Sequence, residues 1–279
     1  MKTIFIKSRD IFCLDRLDDF NSRLYRIELK GEVKVFKTGF TKKKNNLNLI
    51  YTLEELDKGR RYFPSYFCLP EALVKSEDGF EGFIMPILEG RIGLDELLNS
   101  PDFSHSTKIE CLKKVGLILR DCDTLRTKKG LSKFALSDVH EGNFLVDSKT
   151  KEVSLIDLDS CKIGSNVPGE AKYLTPGSIS NYCRMYKKIS KETDLFCYII
   201  MVLNYITGVN SSQMSPDEYY NLLNYLVSIE CNPRLVQIFY NALRRIENEN
   251  PDTVLDSISE DTVNKSREFC KYLRTYSYF

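Results

Sequence analysis

The amino-acid sequence predicts an α+β protein in which a strand-rich N-terminal part precedes a mainly helical C-terminal part. Before Gly90, short segments alternate apolar and polar residues, which is the period of a half-buried β-strand. After Gly90, apolar residues recur at three- and four-residue steps, which is the period of an amphipathic helix. One small hairpin at the start of the second part is the exception to this division. Strands gathered in one part and helices in the other are typical of the α+β class.

The N-terminal part contains four predicted strands and one predicted helix. The first two strands form a hairpin, because Lys30-Gly31 interrupts the alternation. The last two strands are joined by the turn-forming residues 76–79. Between the two pairs, leucine and isoleucine repeat at three-residue steps from Leu47 to Leu56, which predicts a short helix. The predicted strands are 23–29, 33–36, 69–74 and 80–87.

The C-terminal part contains the small hairpin and a series of predicted helices. The longest helix is expected to begin at a capping box formed by Thr107 and Glu110 and to end near Leu125. The hairpin pairs residues 144–146 with residues 153–156 across a polar turn. The other predicted helices are 94–98, 195–206, 216–229, 233–246 and a last one before the aromatic C-terminal residues.

Composition excludes several classes of function. The chain has 40 Lys and Arg residues against 39 Asp and Glu residues, so no general positive field is available for capturing nucleic acid. None of the nine cysteines forms a C-x-x-C pair, so we expect reduced thiols rather than a zinc ribbon. The longest apolar run, 195–203, is far shorter than the roughly 20 residues that span a bilayer. We therefore expect a soluble, cytoplasmic protein with no nucleic-acid partner and no membrane insertion, and the oligomeric state stays open.

The residues that indicate chemistry lie in and around the small hairpin. Asp138 and Asn143 are five residues apart across a turn, and Asp157 follows at the end of the second hairpin strand. Because a hairpin returns its end to its beginning, Asn143 and Asp157 should lie side by side. Phosphoryl transfer needs a carboxylate that orients the attacking hydroxyl. It also needs oxygen ligands that hold Mg2+ against the nucleotide phosphates.

These motifs resemble those of the protein-kinase superfamily. The spacing of Asp138 and Asn143 resembles the D-x-x-x-x-N of the kinase catalytic loop, and Asp157-Leu158-Asp159 resembles a variant of the DFG motif. More narrowly, the chain resembles a divergent group of bacterial protein kinases. The resemblance covers nearly the whole chain and implies a two-lobed protein-kinase-like fold, with a β-rich N-lobe at 1–88 and a mainly helical C-lobe at 89–279.

The resemblance implies ATP and Mg2+ as cofactors and assigns residues to them. Asp138 is the expected catalytic residue, which orients the hydroxyl and accepts its proton. Asn143 and Asp157 are expected to hold Mg2+ and, through it, the nucleotide. The segment 82–87 resembles the last N-lobe strand entering the hinge, where backbone groups around Met85 and Ile87 are expected to meet adenine.

Further roles follow from the same resemblance. The segment around Lys34 resembles the strand that carries the phosphate-binding lysine, so Lys34 is the candidate and Lys37 the alternative. Its helical partner is expected to be Glu54, which shares a stripe with Leu47 and Ile50, and Glu55 is the alternative. Asp194 is expected to brace the catalytic loop from the start of a buried helix.

Some positions depart from the family pattern. The usual HRD triplet reads Leu136-Ser137-Asp138, so the arginine before the catalytic aspartate is missing. No G-x-G-x-x-G occurs between Leu17 and Tyr25, and the APE position reads Thr175-Pro176-Gly177. His140 gives the pattern D-x-H-x-x-N, which is similar to the loops of atypical and small-molecule kinases. A structural or phosphate-adjacent imidazole is expected there.

The leading functional expectation is an ATP- and Mg2+-dependent phosphotransferase, a protein serine/threonine kinase that acts on a protein substrate. One alternative is a pseudokinase, which would act as a nucleotide-binding interaction module with little turnover. The other is a small-molecule kinase of the aminoglycoside or choline type. The missing glycine-rich loop favours the first alternative, and the D-x-H-x-x-N pattern favours the second.

Overall fold

In a computed structural model the protein has the α+β organisation that the sequence predicts, with a sheet in the N-terminal part and helices in the C-terminal part. The structure describes residues 1–7, 15–18, 23–38, 43–128, 131–164, 172–174, 189–244 and 249–276. No helix in these ranges is long and apolar enough to cross a membrane.

A six-stranded sheet forms the N-terminal part, in the order β1-β5-β6-β4-β3-β2. All neighbouring strands are antiparallel except β1 and β5, which run parallel. The predicted hairpin at Lys30-Gly31 is confirmed as β3 and β4. The strands are β1 Lys2–Phe5, β2 Asp15–Asp18, β3 Arg23–Leu29, β4 Glu32–Thr38, β5 Ala72–Ser76 and β6 Gly79–Pro86.

One face of this sheet packs against helix α1, Lys43–Gly59. Leu49 and Leu53 of the helix form a buried cluster with Leu73 and Phe83 of the sheet. The opposite face carries a second apolar cluster that includes Phe36. Because side chains alternate between faces along a strand, residues an odd number apart on β4 point to opposite sides.

The C-terminal part begins with a three-stranded sheet in the order β7-β8-β9 and continues with six helices among the described residues. Helix α4 is buried along most of its length and contacts α3, α6 and α7, so it lies at the centre of the largest core. The elements are β7 Arg91–Gly93, α2 Leu94–Asn99, α3 His105–Leu125, β8 Phe144–Asp147, β9 Val153–Leu155, α4 Lys191–Thr207, α5 Pro216–Ser228, α6 Pro233–Arg244 and α7 Glu260–Tyr276.

Three helix starts differ from the expectation, and the first is α1, which begins at Lys43 rather than at Leu47. Helix α3 begins before the predicted capping box, because the Ser104 hydroxyl accepts the backbone N–H of Thr107 and is the N-cap. The capping box at Thr107 was therefore a wrong prediction. Helix α4 begins at Lys191, one turn earlier than its apolar run, because the Thr193 hydroxyl accepts the N–H of Ser190. Polar first turns conceal a helix start when the apolar pattern alone is followed.

The segment 63–69 joins the N-terminal sheet to the C-terminal core. The backbone N–H of Cys68 donates to the carbonyl of Leu155, and the N–H of Leu155 donates to the carbonyl of Tyr66. Phe67 is buried in the C-terminal core and packs edge-on against Phe63. This contact places the end of β9 close to β4, which is where the candidate site forms.

We expect the substitution Phe67→Ala to lower the free energy of unfolding by about 3–5 kcal/mol, because it removes a buried ring and leaves a cavity at the junction. Urea unfolding followed by circular dichroism measures this loss. Leu117→Ala is the matched control, since that side chain is 49% exposed on α3 and should change stability by no more than about 0.5 kcal/mol. Equal losses in the two variants would show that Phe67 does not support the junction.

Candidate active site

Asp194 fixes the loop that carries Asp138. Its buried carboxylate, in the first turn of α4, accepts the backbone N–H of Leu136 at 2.8 Å and that of Ser137 at 2.9 Å. Burial raises the pKa of Asp194 to about 7, against the opposing effect of these N–H groups and of Arg126. Arg126, at the end of α3, lies 3.2 Å from the same carboxylate. The loop is therefore held in place by a helix of the core, as the resemblance implies for Asp194.

Ser137 directly precedes Asp138, at the position where the resemblance would imply an arginine. Its backbone has a φ of 64°, in the left-handed region that non-glycine residues seldom adopt. Its hydroxyl donates to the carbonyl of Ser160 at 2.6 Å. A short hydroxyl contact thus links the loop to the turn that follows β9.

Asp138 is half-buried and points its carboxylate toward the segment 172–174. Its Oδ1 accepts the backbone N–H of Lys172 at 2.7 Å, and its Oδ2 lies 3.5 Å from Nε2 of His140. The side chain of Asn143 donates to the backbone carbonyl of Asp138 at 2.8 Å. Asp138 and Asn143 are thus held together across the turn, and Oδ2 of Asp138 faces the His140 ring.

His140 shapes this turn. Its Nδ1 accepts the backbone N–H of Gly142 at 3.1 Å, which caps the short 3₁₀ turn Glu141–Asn143. Of the two roles expected for this imidazole, structural or phosphate-adjacent, the hydrogen bond to Gly142 supports the structural one.

A network behind the loop was not foreseen from the sequence. Glu141 accepts hydrogen bonds from the Tyr173 hydroxyl and from the ammonium of Lys172, the latter at 3.0 Å. The Tyr173 hydroxyl also accepts a hydrogen bond from the side chain of Asn204. Burial acts to raise the pKa of Glu141, but these donors outweigh it and the pKa is lowered. The partners are so far apart in the chain that no local pattern could indicate the network.

The hairpin places Asn143 and Asp157 at the same end of β8 and β9. Phe144 pairs with Leu155, and the carbonyl of Asn143 accepts the backbone N–H of Ile156 at 2.9 Å. Asp157 follows directly, with a left-handed backbone at φ 63°. The amide nitrogen of Asn143 donates to the backbone carbonyl of Asp138. The other amide atom, Oδ1 of Asn143, accepts no hydrogen bond from the described residues. That oxygen and the Asp157 carboxylate suit a hard cation such as Mg2+.

The lysine that meets Asp157 is Lys37, not Lys34. The Lys37 ammonium is buried and binds Asp157 and, at 3.0 Å, Asp159. Lys34 lies on the other face of the sheet and pairs with Glu32 at 2.9 Å and Glu71 at 3.1 Å. The two lysines are three residues apart on one strand, so only one can point toward α1 and the acidic turn. The geometry therefore corrects the choice of Lys34 to the alternative, Lys37.

Neither expected glutamate of α1 reaches Lys37. Glu54 is exposed, and Glu55 pairs with Lys58 at 2.6 Å. The stripe that indicated Glu54 lies only partly against the sheet, since Leu47 is 72% exposed while Ile50 packs at the edge of the buried cluster. The stripe that faces the sheet contains Leu53, so it offers the lysine no carboxylate.

The two carboxylates of the acidic turn have pKa values that are shifted in opposite directions. Burial raises the pKa of Asp159 above its usual range, and the nearby Asp157 charge adds to this. For Asp157, burial acts in the same direction, but the hydrogen bond with Asp159 and the charge of Lys37 outweigh it and lower the pKa. Burial acts to lower the pKa of Lys37, but the two carboxylates raise it above its usual value. At neutral pH the site therefore contains a charged lysine and a charged Asp157.

Gly82 allows β6 to pass close to the Lys37 strand. Its φ is 158°, and a Cβ atom there would lie 2.0 Å from the Lys37 carbonyl oxygen. Any side chain at this position would push the two strands apart. A glycine within a strand pattern is a signal for such a close approach, so this feature was open to prediction.

The segment expected to bind adenine connects the two sheets. Strand β6 ends at Pro86, and Met85, Ile87 and Leu88 are half-buried on the way to β7. The Cys68 thiol contacts the carbonyl of Pro86 at 3.7 Å. This connection lies between the sheet that carries Lys37 and the sheet whose strand β8 directly follows Asn143, which is compatible with the expected role.

Two expectations fall outside the described residues. Residues 19–22, in the stretch where the sequence lacks a glycine-rich motif, lie outside them. The segment Thr175-Pro176-Gly177 also lies outside them. Within the described ranges, no group of three or more His, Cys, Asp or Glu side chains is arranged to hold a metal ion. The candidate cation ligands are instead an amide oxygen and a carboxylate.

Comparisons with known proteins assign no function to the chain, so its function is inferred from the geometry of the site. No protein-family model matches the chain, and no curated protein matches it. The four candidate residues come from three parts of the fold. Lys37 lies on β4 and Asp138 lies in the loop before the hairpin. Asn143 precedes β8 and Asp157 follows β9.

We expect Asp194→Asn to lower the free energy of unfolding by about 1–3 kcal/mol, because an amide leaves one buried backbone N–H without an acceptor. Urea unfolding at neutral pH measures this loss. Glu192→Gln is the matched control, since Glu192 lies in the same first turn but is exposed. If both variants were as stable as the wild type, Asp194 would not be what holds the loop.

Proposed function

We propose that the protein is an ATP- and Mg2+-dependent phosphotransferase, specifically a protein serine/threonine kinase with a divergent, two-lobed protein-kinase-like fold. The observation that carries the proposal is the meeting of Lys37, Asp138, Asn143 and Asp157 around one end of the β8–β9 hairpin. A lysine, a hydroxyl-orienting carboxylate and two oxygen ligands are the parts that phosphoryl transfer from a nucleotide needs.

Each of these side chains has a distinct task in the proposed reaction. A bound Mg2+–ATP supplies the phosphoryl group that is transferred. Asp138 orients the substrate hydroxyl and accepts its proton on Oδ2, while Oδ1 stays bound to the N–H of Lys172. Asn143 and Asp157 hold the cation, and Lys37 binds phosphate oxygens. Asp194 keeps Asp138 in position through the backbone of Leu136 and Ser137.

A protein substrate is favoured over a small molecule by the chain between Asp157 and Asp194. The sequence from Asp157 to Asp194 resembles a protein-kinase C-lobe, and residues 172–174 pack directly beside Asp138. A substrate hydroxyl must approach along this segment. The His140 pattern that suggested a small-molecule kinase is accounted for by the hydrogen bond to Gly142.

One observation favours the pseudokinase alternative, in which nucleotide binds without turnover. Asp157, an expected cation ligand, is bound by Lys37. A protein that kept this pair in the presence of nucleotide would lack a complete cation site. Mg2+–ATP that raised the melting temperature without any phosphate transfer would support this alternative, because binding alone stabilises the folded state.

We expect Asp138→Asn to slow phosphate transfer by about 10²–10⁴-fold, because the amide cannot accept the hydroxyl proton. Transfer of labelled phosphate from ATP to proteins of a host lysate measures the rate, and calorimetry checks that ATP still binds. Asp102→Asn, at an exposed position, is the control. Equal rates in the wild type and in Asp138→Asn would contradict the proposed reaction.

We expect Lys37→Met to weaken Mg2+–ATP binding by about 10–100-fold, which corresponds to the loss of one charge-assisted hydrogen bond. Methionine keeps an apolar chain near Phe83, which lies beneath the lysine. Lys34→Met is the matched control and should leave the affinity within about twofold of the wild type, since surface ion pairs contribute little. Isothermal calorimetry gives both values, and the opposite ranking would restore Lys34 as the nucleotide ligand.

A further inference from the structure

The Lys37 ammonium meets two carboxylates of one short turn. Asp157 has a left-handed backbone, and the 3₁₀ turn Leu158–Ser160 follows it, so Asp157 and Asp159 both reach the same ammonium. Their side chains differ in exposure, at 34% for Asp157 and 11% for Asp159. The more accessible carboxylate is the one next to Asn143, and the deeper one contacts Lys37 and also shares a hydrogen bond with Asp157.

The proposed function gives Asp157 two incompatible partners. It is expected to bind the cation, and in the structure it binds Lys37. If Asp157 binds a cation instead, the buried ammonium of Lys37 needs another counter-charge, because an unpaired buried charge carries a large desolvation cost. Helix α1 offers none, because Leu49 and Leu53 face the sheet and the Phe83 ring lies 5.9 Å from the lysine Nζ.

We propose that Asp159 is the positioning residue for Lys37 and takes the place that the family resemblance gives to a glutamate of the helix. Asp159 holds the ammonium while Asp157 turns to the cation, so one turn serves both tasks. This inference rests on the proposed nucleotide site. It names a carboxylate two residues beyond the expected cation ligand rather than one on α1.

The turn around Asp159 is held firmly enough for this role. Leu158 is buried in the main core together with Leu56 of α1, and α1 packs on the turn. The carbonyl of Ser160 accepts the hydroxyl of Ser137 at 2.6 Å. The carboxylate that positions Lys37 is therefore tied to the loop that carries the proposed catalytic Asp138.

The first test needs no nucleotide and follows acetylation of Lys37 by an N-hydroxysuccinimide ester, quantified by mass spectrometry. In Asp157→Asn, we expect Lys37 to stay as protected as in the wild type, because Asp159 still holds it. In the double variant Asp157→Asn/Asp159→Asn, its modification should rise several-fold. Lys34, bound by Glu32 and Glu71, is the internal reference and should not change.

This test has a decisive contrary result. If Asp157→Asn alone made Lys37 as reactive as the exposed Lys58, Asp159 would not be able to hold the lysine by itself. That variant decides the matter even if the double variant does not fold. A rise in Lys37 modification in Glu54→Gln, with none in the double variant, would return the positioning role to the helix.

The second test asks whether Asp159 acts through Lys37 and uses a double-mutant cycle on Mg2+–ATP affinity. Asp159→Asn should weaken binding by about tenfold, as expected for a disturbed charged contact. In the Lys37→Met background the same change should have little further effect. Asp159→Glu should recover part of the affinity. Additive losses, or no loss in Asp159→Asn, would overturn the proposal.

The two tests separate this inference from the proposed function. If the wild type bound no Mg2+–ATP, the proposed function would fail, and the acetylation experiment would still show whether Asp159 holds Lys37. If ATP binds and the cycle is additive, the nucleotide site stands and Asp159 loses its role.

Discussion

The buried ion pair between Lys37 and the acidic turn is the interaction on which the arrangement of the site depends. It joins strand β4 of the first sheet to the residues that follow β9 of the second. A buried ammonium is tolerated only when carboxylates compensate its charge, so the two sheets cannot separate without exposing or stranding it. The packing of Phe67 and the backbone hydrogen bonds of Leu155 hold β4 and the residues after β9 close enough for this ion pair to form.

The loop that carries Asp138 is held by backbone contacts from two sides. The hydroxyl of Ser137 donates to the carbonyl of Ser160. Asp194 receives the N–H groups of the same loop, so Asp138 is fixed from the core helix and from the acidic turn together. Ser137 and Asp157 are both in the left-handed region, and such strained residues are often found at functional sites.

The sequence could predict those parts of the fold whose signal is local. The β3–β4 and β8–β9 hairpins followed from alternation and turn residues, and the nearness of Asn143 to Asp157 followed from the second hairpin. The sequence could not decide between Lys34 and Lys37. Alternation shows that the two lysines face opposite sides of the sheet, but it does not show which side α1 covers. Glu54 was misplaced for the same reason, since the apolar spacing of α1 does not show that Glu54 is exposed while Leu53, the residue before it, is buried against the sheet.

The balance of charge around the hairpin explains why a nucleotide site here would need a cation. The described groups close to Asp138 include more acids than bases, with Glu141, Asp157 and Asp159 facing the ammonium groups of Lys37 and Lys172. A triphosphate carries several negative charges and would be repelled by this surface if Lys37 were its only partner. Asn143 and Asp157 would hold a divalent cation there, and its charge would offset the local excess of acids, because a bound ion is often the largest charge in such a site. Asp157 could then turn from Lys37 to the cation, and Lys37 would be free to bind phosphate oxygens while Asp159 stays beside it.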